Sequence, residues 1–368
     1  MALDDTVVAD ARTESQGLLY RRRRHVNPVS IIGLILVALL VVWLVVNLVK
    51  TPDEWLSAFL IGITNGSIYG LVALGYTLVY GILELINFAH GDVFMLGGMI
   101  CITVISEVFG LSASSSAWVV WPAIFATLAI GMASCGLINA TVERIAYRPL
   151  RGAPRLVPLI TAIAASFILQ NVAIAWKGPN PVTLNTGPSG AADFLPQGNV
   201  FTFGSGGRYT WASLIVVLLT VPVLFALLWL VQRTKQGKAM RATAQDREAA
   251  AMMGIDVNRT ISFTFLIAGG LAGAAGLIYG IYFTSIRFDQ GYQLGLIAFT
   301  AAVLGGIGNL PGAVLGALLI GLIQSFNNTL SWHAPGSDWT QSIVFAVLIL
   351  ILVFRPEGLL GERTPEGG

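Results

Sequence analysis

Residues 211–231 read WASLIVVLLTVPVLFALLWLV, without one charged side chain, and residues 260–283 read TISFTFLIAGGLAGAAGLIYGIYF, again without charge. Between them lies QRTKQGKAMRATAQDREAAAMMGIDVNR, which carries Arg233, Lys235, Lys238, Arg241, Arg247 and Arg259. About 20 apolar residues coiled as an α-helix cross about 30 Å of hydrocarbon and satisfy every backbone N–H and C=O within the segment. The two runs therefore read as membrane spans, and the basic stretch as the loop joining them on one side. The whole chain agrees: of 368 residues, 55% are hydrophobic and only 11% charged, against about 25% charged in an ordinary soluble domain. That composition excludes a soluble enzyme, a disulfide-built secreted scaffold and a disordered chain. A net charge of +2 makes no case for a nucleic-acid partner. Cys101 and Cys135 sit in apolar stretches with no metal-ligand spacing around them and read as buried thiols. No metal and no cofactor is expected.

The same ruler places further spans near 31–49, 56–83, 93–109, 118–140, 159–176, 313–330 and 340–354. Segment 293–307, short and rich in small residues, is either a short span or a re-entrant piece. The expected fold class is an all-α polytopic membrane protein of about 8–10 transmembrane helices, in two related halves with broken or re-entrant segments. Segment 31–49 follows Arg21 to Arg24, as the apolar part of a secretory signal would. Its core is longer than the usual run of about 7–15 residues and no A-x-A site follows before Pro52, so it reads as an uncleaved helix. Residues 1–30 then form a cytoplasmic tail, 31–54 an additional first helix with its outer turn, 55–360 the main transmembrane domain and 361–368 a C-terminal tail.

Lys and Arg mark the cytoplasmic side. Most of the 21 basic residues fall in three regions: Arg12 with Arg21 to Arg24, the loop holding Arg144, Arg148, Arg151 and Arg155, and the loop 232–259. Alternating the spans puts all three on one side and the long segment 177–210, rich in Gly and Pro, on the other. If 293–307 spans, the C-terminus joins the basic side; if it re-enters, the C-terminus lies opposite.

The chain holds 41 glycines, many inside spans. Gly62, Gly66 and Gly70 recur every four residues, as do Gly269 with Gly273, Gly276 with Gly280 and Gly312 with Gly316. Residues four apart share a helix face, so these form flat seams that let neighbouring helices approach closely. Two polar or glycine-rich breaks interrupt the apolar pattern. The first is Ile86-Asn87-Phe88-Ala89-His90-Gly91-Asp92, with Glu84 just before it; the second is Leu304-Gly305-Gly306-Ile307-Gly308-Asn309-Leu310-Pro311-Gly312. Such interruptions point to broken helices beside a pathway. Asn87, His90 and Asp92 either cap helix ends and face water in a cytoplasmic turn, or line a translocation pathway together with Tyr69, Gly305, Gly306 and Asn309. The spans hold almost no further acids or histidines, which disfavours an ion-driven carrier.

In the basic loop, Asp246 reads as an N-cap and Gly254 as a stop for a helix over about 247–253. Ala249, Ala250, Met252 and Met253 are small or adaptable apolar residues on a loop where lipid does not require them, which suits docking on a partner. Glu248-Ala249-Ala250, three residues and then Gly254 resembles the EAA-x-x-x-G cytoplasmic loop of ABC importer permeases, although the Leu-Pro of its fullest version is missing. The rest of the chain supplies Gly66-Ser67-Ile68-Tyr69-Gly70 through Gly81, the 86–92 break, Glu143-Arg144-Ile145-Ala146-Tyr147-Arg148-Pro149-Leu150-Arg151, Gly237 to Ala242, Ala301 to Ala313 and Phe354-Arg355-Pro356-Glu357-Gly358-Leu359. From about 55 to 360 the sequence resembles branched-chain amino acid ABC transporter permeases, the first permease subunit more closely than the second.

That resemblance implies a multi-pass inner-membrane permease working by alternating access. Its partners would be a second related permease, two cytoplasmic ABC ATPase subunits and a periplasmic solute-binding protein, with a small-molecule substrate and the lipid bilayer as surroundings. The ATPase contact would run through Arg247, Glu248, Ala249, Ala250, Met253 and Gly254. Related permeases serve urea and short amides as well as amino acids. The chain has no G-x-x-x-x-G-K-[ST] loop to cradle ATP phosphates, so it is expected not to be an enzyme. The rivals are a stand-alone channel or facilitator, with the loop helix as a gate, and an ion-driven secondary carrier.

Overall fold

The structure is a computed structural model that describes residues 28–361, except 155, 189, 204–206 and 333. Most of the two expected tails, with Arg12 and Arg21 to Arg24, and Arg155 of the first basic loop lie outside the described residues. The chain divides into two units, Met1–Val46 and Asn47–Gly368. The described part of the first is the opening of an apolar helix, α1 (Pro28–Lys50).

The second unit takes in the end of α1 and continues with α2 (Pro52–Leu83), whose first turn holds a proline where its missing N–H costs nothing and Asp53 and Glu54 where the helix dipole favours acids. Then come α3 (Ala89–Thr103), prolonged by a π turn to Val108, and α4 (Ala117–Val142), prolonged by a π turn and a 3-10 turn to Leu150. α5 (Leu156–Lys177) leads into β1 (Val182–Thr183), β2 (Asn199–Phe203) and β3 (Gly207–Thr210). α6 (Trp211–Arg233) is followed by two short helices, α7 (Lys235–Gln245) and α8 (Arg247–Met252). The remainder is α9 (Val257–Phe283), β4 (Ser285–Ile286), α10 (Gln290–Gly305), α11 (Leu310–Thr329) and α12 (Thr340–Phe354). Among the described residues, 8 helices are long and apolar enough to cross a membrane, and the protein is a helical multi-pass membrane protein. Among the described residues the strands form two small antiparallel ribbons, β2 with β3 and β1 with β4.

Contacts at the two ends of the bundle fix the sidedness. At one end Ser331 donates to Glu54 (2.8 Å), Lys177 pairs with Glu107 (2.7 Å), and β1 pairs with β4. At the other end Arg151 reaches Asn258 (2.5 Å), and Arg247 reaches the Ile82 carbonyl (2.9 Å). The two described basic loops therefore share one end, opposite the 177–210 segment. The C-terminal strand of chain joins them: Leu359 and Leu360 donate to Leu304 and Gly305, each at 3.0 Å, and Asn309 to the Leu360 carbonyl (2.7 Å). Residues 293–305 of the 293–307 segment lie in α10, a 16-residue helix about 24 Å long at 1.5 Å per residue. It is too short to cross unaided, yet it delivers the chain to the basic end, because the residues before it already dip inward: Ile286 is buried against Gly98.

Two halves are visible in the neighbours each helix chooses. α2 packs along α11 as α9 packs along α4, α10 lies against α2 as α3 lies against α9, and α5 follows α3 as α12 follows α10. Since α2 descends to the basic end while α9 rises from it, the halves are inverted relative to one another. The backbone marks the relation. The two non-glycine residues with positive φ among those described are Glu84 (55°) and Thr284 (56°), each ending a long helix and opening a switchback.

The glycine seams are the contact surfaces of these pairs. A Cβ placed on Gly66 would come 2.8 Å from Leu318 Cα, one on Gly269 2.3 Å from the Cys135 carbonyl, and one on Gly276 2.4 Å from the Gly98 nitrogen. Gly62 and Gly273 are equally closed, Gly280 is tight only against the Ile102 side chain, and Gly70 has ordinary room. Without a hydrophobic drive between helices in lipid, such backbone-to-backbone approach is what holds the bundle together.

Candidate functional site

The basic loop folds much as its local signals require. Thr234 Oγ1 accepts from the Gly237 N–H (3.0 Å) to start α7, and Asp246 Oδ1 accepts from the Glu248 and Ala249 N–H groups (2.8 and 3.0 Å) to start α8. α8 ends at Met252, with Met253 as its cap and Gly254 left-handed at φ 82°. Met252 and Met253 are more than four-fifths exposed. Ala250, expected on the displayed surface, turns inward and is buried, because it lies on the helix face that packs toward the bundle. Two arginines of this loop clasp the ends of spans. Arg241 donates to the Val231 carbonyl in the last turn of α6, and Arg247 to Ile82 in the last turn of α2. Terminal carbonyls have no partner within their own helix and carry the negative end of its dipole, so a guanidinium there is doubly favoured.

Beyond Ile82 the chain turns at Glu84 into the first break. The reading of that break as a water-facing, capping turn is corrected. Phe88 holds the N-cap position of α3 with no side-chain cap, and Asn87, His90 and Asp92 are buried. They point into the bundle because α3 begins inside it: His90 packs against Gly75 and edge-on to Tyr76, with ring centroids 4.9 Å apart. Gly75 lies eight residues before the end of α2, about 12 Å along the helix. Asn87 donates to Asn139 (3.3 Å) and accepts from Tyr147 (3.0 Å), while Asn139 donates to the Phe265 carbonyl (2.7 Å). Asp92 accepts from Ser166 and from Gln170 Nε2 (3.1 Å), both on α5. Tyr69 donates to Gln324 (2.5 Å) on α11.

The second break has a different character. Gly305 is pressed against the Gly312 carbonyl, Gly306 and Gly308 have φ of 106° and 92°, and Asn309 caps α11 by accepting from the Gly312 N–H (3.0 Å). Beside the first break lies a cavity of about 10 Å³, where Ile86 and Ile307 face Tyr76 and Tyr80; such a space holds about one water at most. The packing counterpart of the first break is instead the 284–291 switchback, where Gly291 abuts Gly91 and Asp92. Its sequence carries no Gly-Pro cluster, and only the run Arg287, Asp289, Gln290 between two apolar segments signals it. Sequence reasoning also missed Asn139, Ser166, Gln170 and Gln324, which lie singly or in short polar pairs inside long apolar runs.

Glu143, part of the 143–151 motif, is fully buried at the end of α4. It pairs with Arg151 and accepts from Ser262 Oγ (2.7 Å), tying the first basic loop to α9. Burial pulls the Arg151 guanidinium below its ordinary pKa, and the Glu143 carboxylate pulls it back up.

A family model described as "Branched-chain amino acid transport system / permease component" matches residues 58–353. The chain belongs to this permease family. It is 38% identical over 317 residues to the high-affinity branched-chain amino acid transport system permease protein BraD of Pseudomonas aeruginosa, covering 85% of this chain and 98% of the relative. It is 36% identical over 305 residues to LivH of Salmonella typhimurium, a protein of the same description, covering 83% and 95%. LivH of Escherichia coli K12 is 34% identical over the same shares. Both breaks, the glycine seams of α2, α9 and α11 and the clasping arginines of this permease lie inside the matched region, and α1 lies outside it.

Proposed function

We propose that the permease is the membrane subunit of an ATP-driven ABC importer of the inner membrane, carrying branched-chain or related amino acids from a periplasmic binding protein into the cytoplasm. Its assembly would include a second related permease and two cytoplasmic ATPases. The observation that carries this reading is the clasp. A helix with two exposed methionines stands at the basic end, and the arginine at its start holds the last turn of α2, the helix that leads into the buried break. The chain has no phosphate-cradling loop of its own, so work enters through α8, and a push on α8 is felt at Ile82 and at α3. Alternating access follows if the nucleotide-bound partner favours one of two bundle arrangements. The Asn87, His90 and Asp92 cluster and Tyr69 line or gate the route, with Gly305, Gly306 and Asn309 anchoring the opposite helix pair.

Reconstitution with the neighbouring ATPase and binding protein tests this directly. Uptake of labelled leucine should require ATP hydrolysis and survive collapse of the ion gradients. ATP-independent equilibration would identify a facilitator, and gradient-dependent uptake a secondary carrier. Gly254→Val provides a narrower check. Nothing lies within 4 Å of a Cβ there, but φ is 82°, where a β-branched residue costs about 1–2 kcal/mol. The exit of α8 should shift while the bundle stays inserted, leaving ATP hydrolysis but lowering uptake. Uptake and hydrolysis at normal levels in that variant would remove α8 from the coupling path. His90→Ala should leave ATPase subunits attached while changing uptake kinetics, since it empties a site packed between α2 and α3. Unchanged kinetics would reduce His90 to packing.

A further inference from the structure

A cleft of about 330 Å³ opens at the basic end, between the last turn of α2 and the α7–α8 junction. Its wall has an unusual mixture. Arg151 and Arg247 bring positive charge, Asp246 and Glu84 negative charge, and Leu83 and Leu85 an aliphatic surface. The cap made by Asp246 uses Oδ1 alone. Thr243, another wall residue, is 1% exposed, and its Oγ1 has no hydrogen-bond partner among the described residues; neither has the buried Nε of Arg151. A buried polar atom left without a partner is destabilising, so two of them behind one wall mark a place that a polar ligand would complete. Both signs of charge a few residues from an aliphatic patch match one small-molecule chemistry. It is a zwitterion with a branched hydrocarbon side chain: a carboxylate suits the flat fork of a guanidinium, and an ammonium suits a carboxylate.

We infer that this cleft binds a free aliphatic α-amino acid at the cytoplasmic face, with its carboxylate toward Arg151 and Arg247, its ammonium toward Asp246 and its side chain on Leu83 and Leu85. The site sits where occupancy matters. A ligand bridging Arg247 and the end of α2 stiffens the same joint that the coupling helix must move, so accumulated product slows further import. This feedback role rests on the importer reading; the binding site does not.

Equilibrium binding of radiolabelled leucine to the permease–ATPase complex in nanodiscs, without the binding protein, tests the site. Saturable binding of one leucine per permease chain is expected. Ala153→Phe fills the cleft and should weaken it by more than about tenfold, and Thr243→Val, which keeps the shape but removes the hydroxyl, by about three- to tenfold. Isovalerate and isopentylamine, each carrying one of the two charges, should compete at least about tenfold less well than leucine. Absence of saturable binding, binding unchanged in both variants, or one-charge analogues that compete as well as leucine would each overturn the site. The second measurement is ATP hydrolysis stimulated by the liganded binding protein. Excess free leucine should suppress it in the unaltered complex and fail to do so with Ala153→Phe; suppression that persists in Ala153→Phe would overturn the feedback role. If no stimulation occurs at all, the importer reading fails while the binding result stands by itself.

Discussion

Permease carrying Gly273→Leu is expected to be missing from the folded, monodisperse fraction after solubilisation. A Cβ on Gly273 would lie 2.2 Å from the Gly131 carbonyl oxygen and 2.6 Å from its carbon. Both are backbone atoms of α4, so no rotamer change relieves the clash, and α4 and α9 must separate. Overpacking a core costs about 1–3 kcal/mol when side chains can yield; here they cannot, and the cost should reach or pass the upper figure. The loss spreads, because α9 also receives α3 at Gly276 and Asn139 at Gly269. Gly152→Leu is the matched control, since nothing lies within 4 Å of its Cβ. Thermal unfolding in detergent decides the matter: melting of Gly273→Leu within about 2 °C of the unaltered protein would mean that the seam is looser than described.

Replacing Arg247 with Met should uncouple the permease without dismantling it. Methionine keeps the length and apolar stem of the side chain but removes the guanidinium that meets the Ile82 carbonyl at 2.9 Å. A hydrogen bond from a charged donor contributes about 1.5–3 kcal/mol, which is about ten- to a hundredfold in the balance between a clasped and a loose α8. ATP hydrolysis by the assembled complex should persist while uptake per ATP falls by about tenfold or more. Arg247→Lys should restore part of the loss, since an ammonium reaches the same carbonyl but lacks the planar fork. Hydrolysis and uptake falling in step would instead place Arg247 in partner docking, and no change in either would leave the hydrogen bond without a role in coupling.

What could be read from the sequence follows the range of the forces involved. Asp246 and Gly254 framed α8 because an N-cap and a left-handed stop are settled within three or four residues. The seams of Gly62, Gly66, Gly269 and Gly273 showed because helix periodicity is local. The setting of Asp92 was not readable: its partners Ser166 and Gln170 lie 74 and 78 residues away, and a polar residue before an apolar run looks the same whether it caps in water or starts inside a bundle. The inward turn of Ala250 depends on how α8 lies against the bundle. The 284–291 switchback escaped because tight backbone approach at Gly291 needs only one glycine, not a cluster. The β1 strand of the 177–210 segment depends on pairing with β4, about a hundred residues further on.

The abutment of Gly91 and Gly291 carries a consequence for inheritance. Each glycine occupies the space that a side chain on the other would need: a Cβ on Gly91 meets the Gly291 carbonyl at 2.3 Å, and one on Gly291 meets the Gly91 carbonyl at 2.7 Å. The halves therefore share a joint here, contributed equally by two stretches of sequence 200 positions apart. Neither stretch can acquire bulk there by itself, and neither can drift without narrowing what its counterpart is permitted to become. If the halves descend from one ancestral segment, this joint is where their histories stay bound together, and the two positions should be found to change as a pair or not at all.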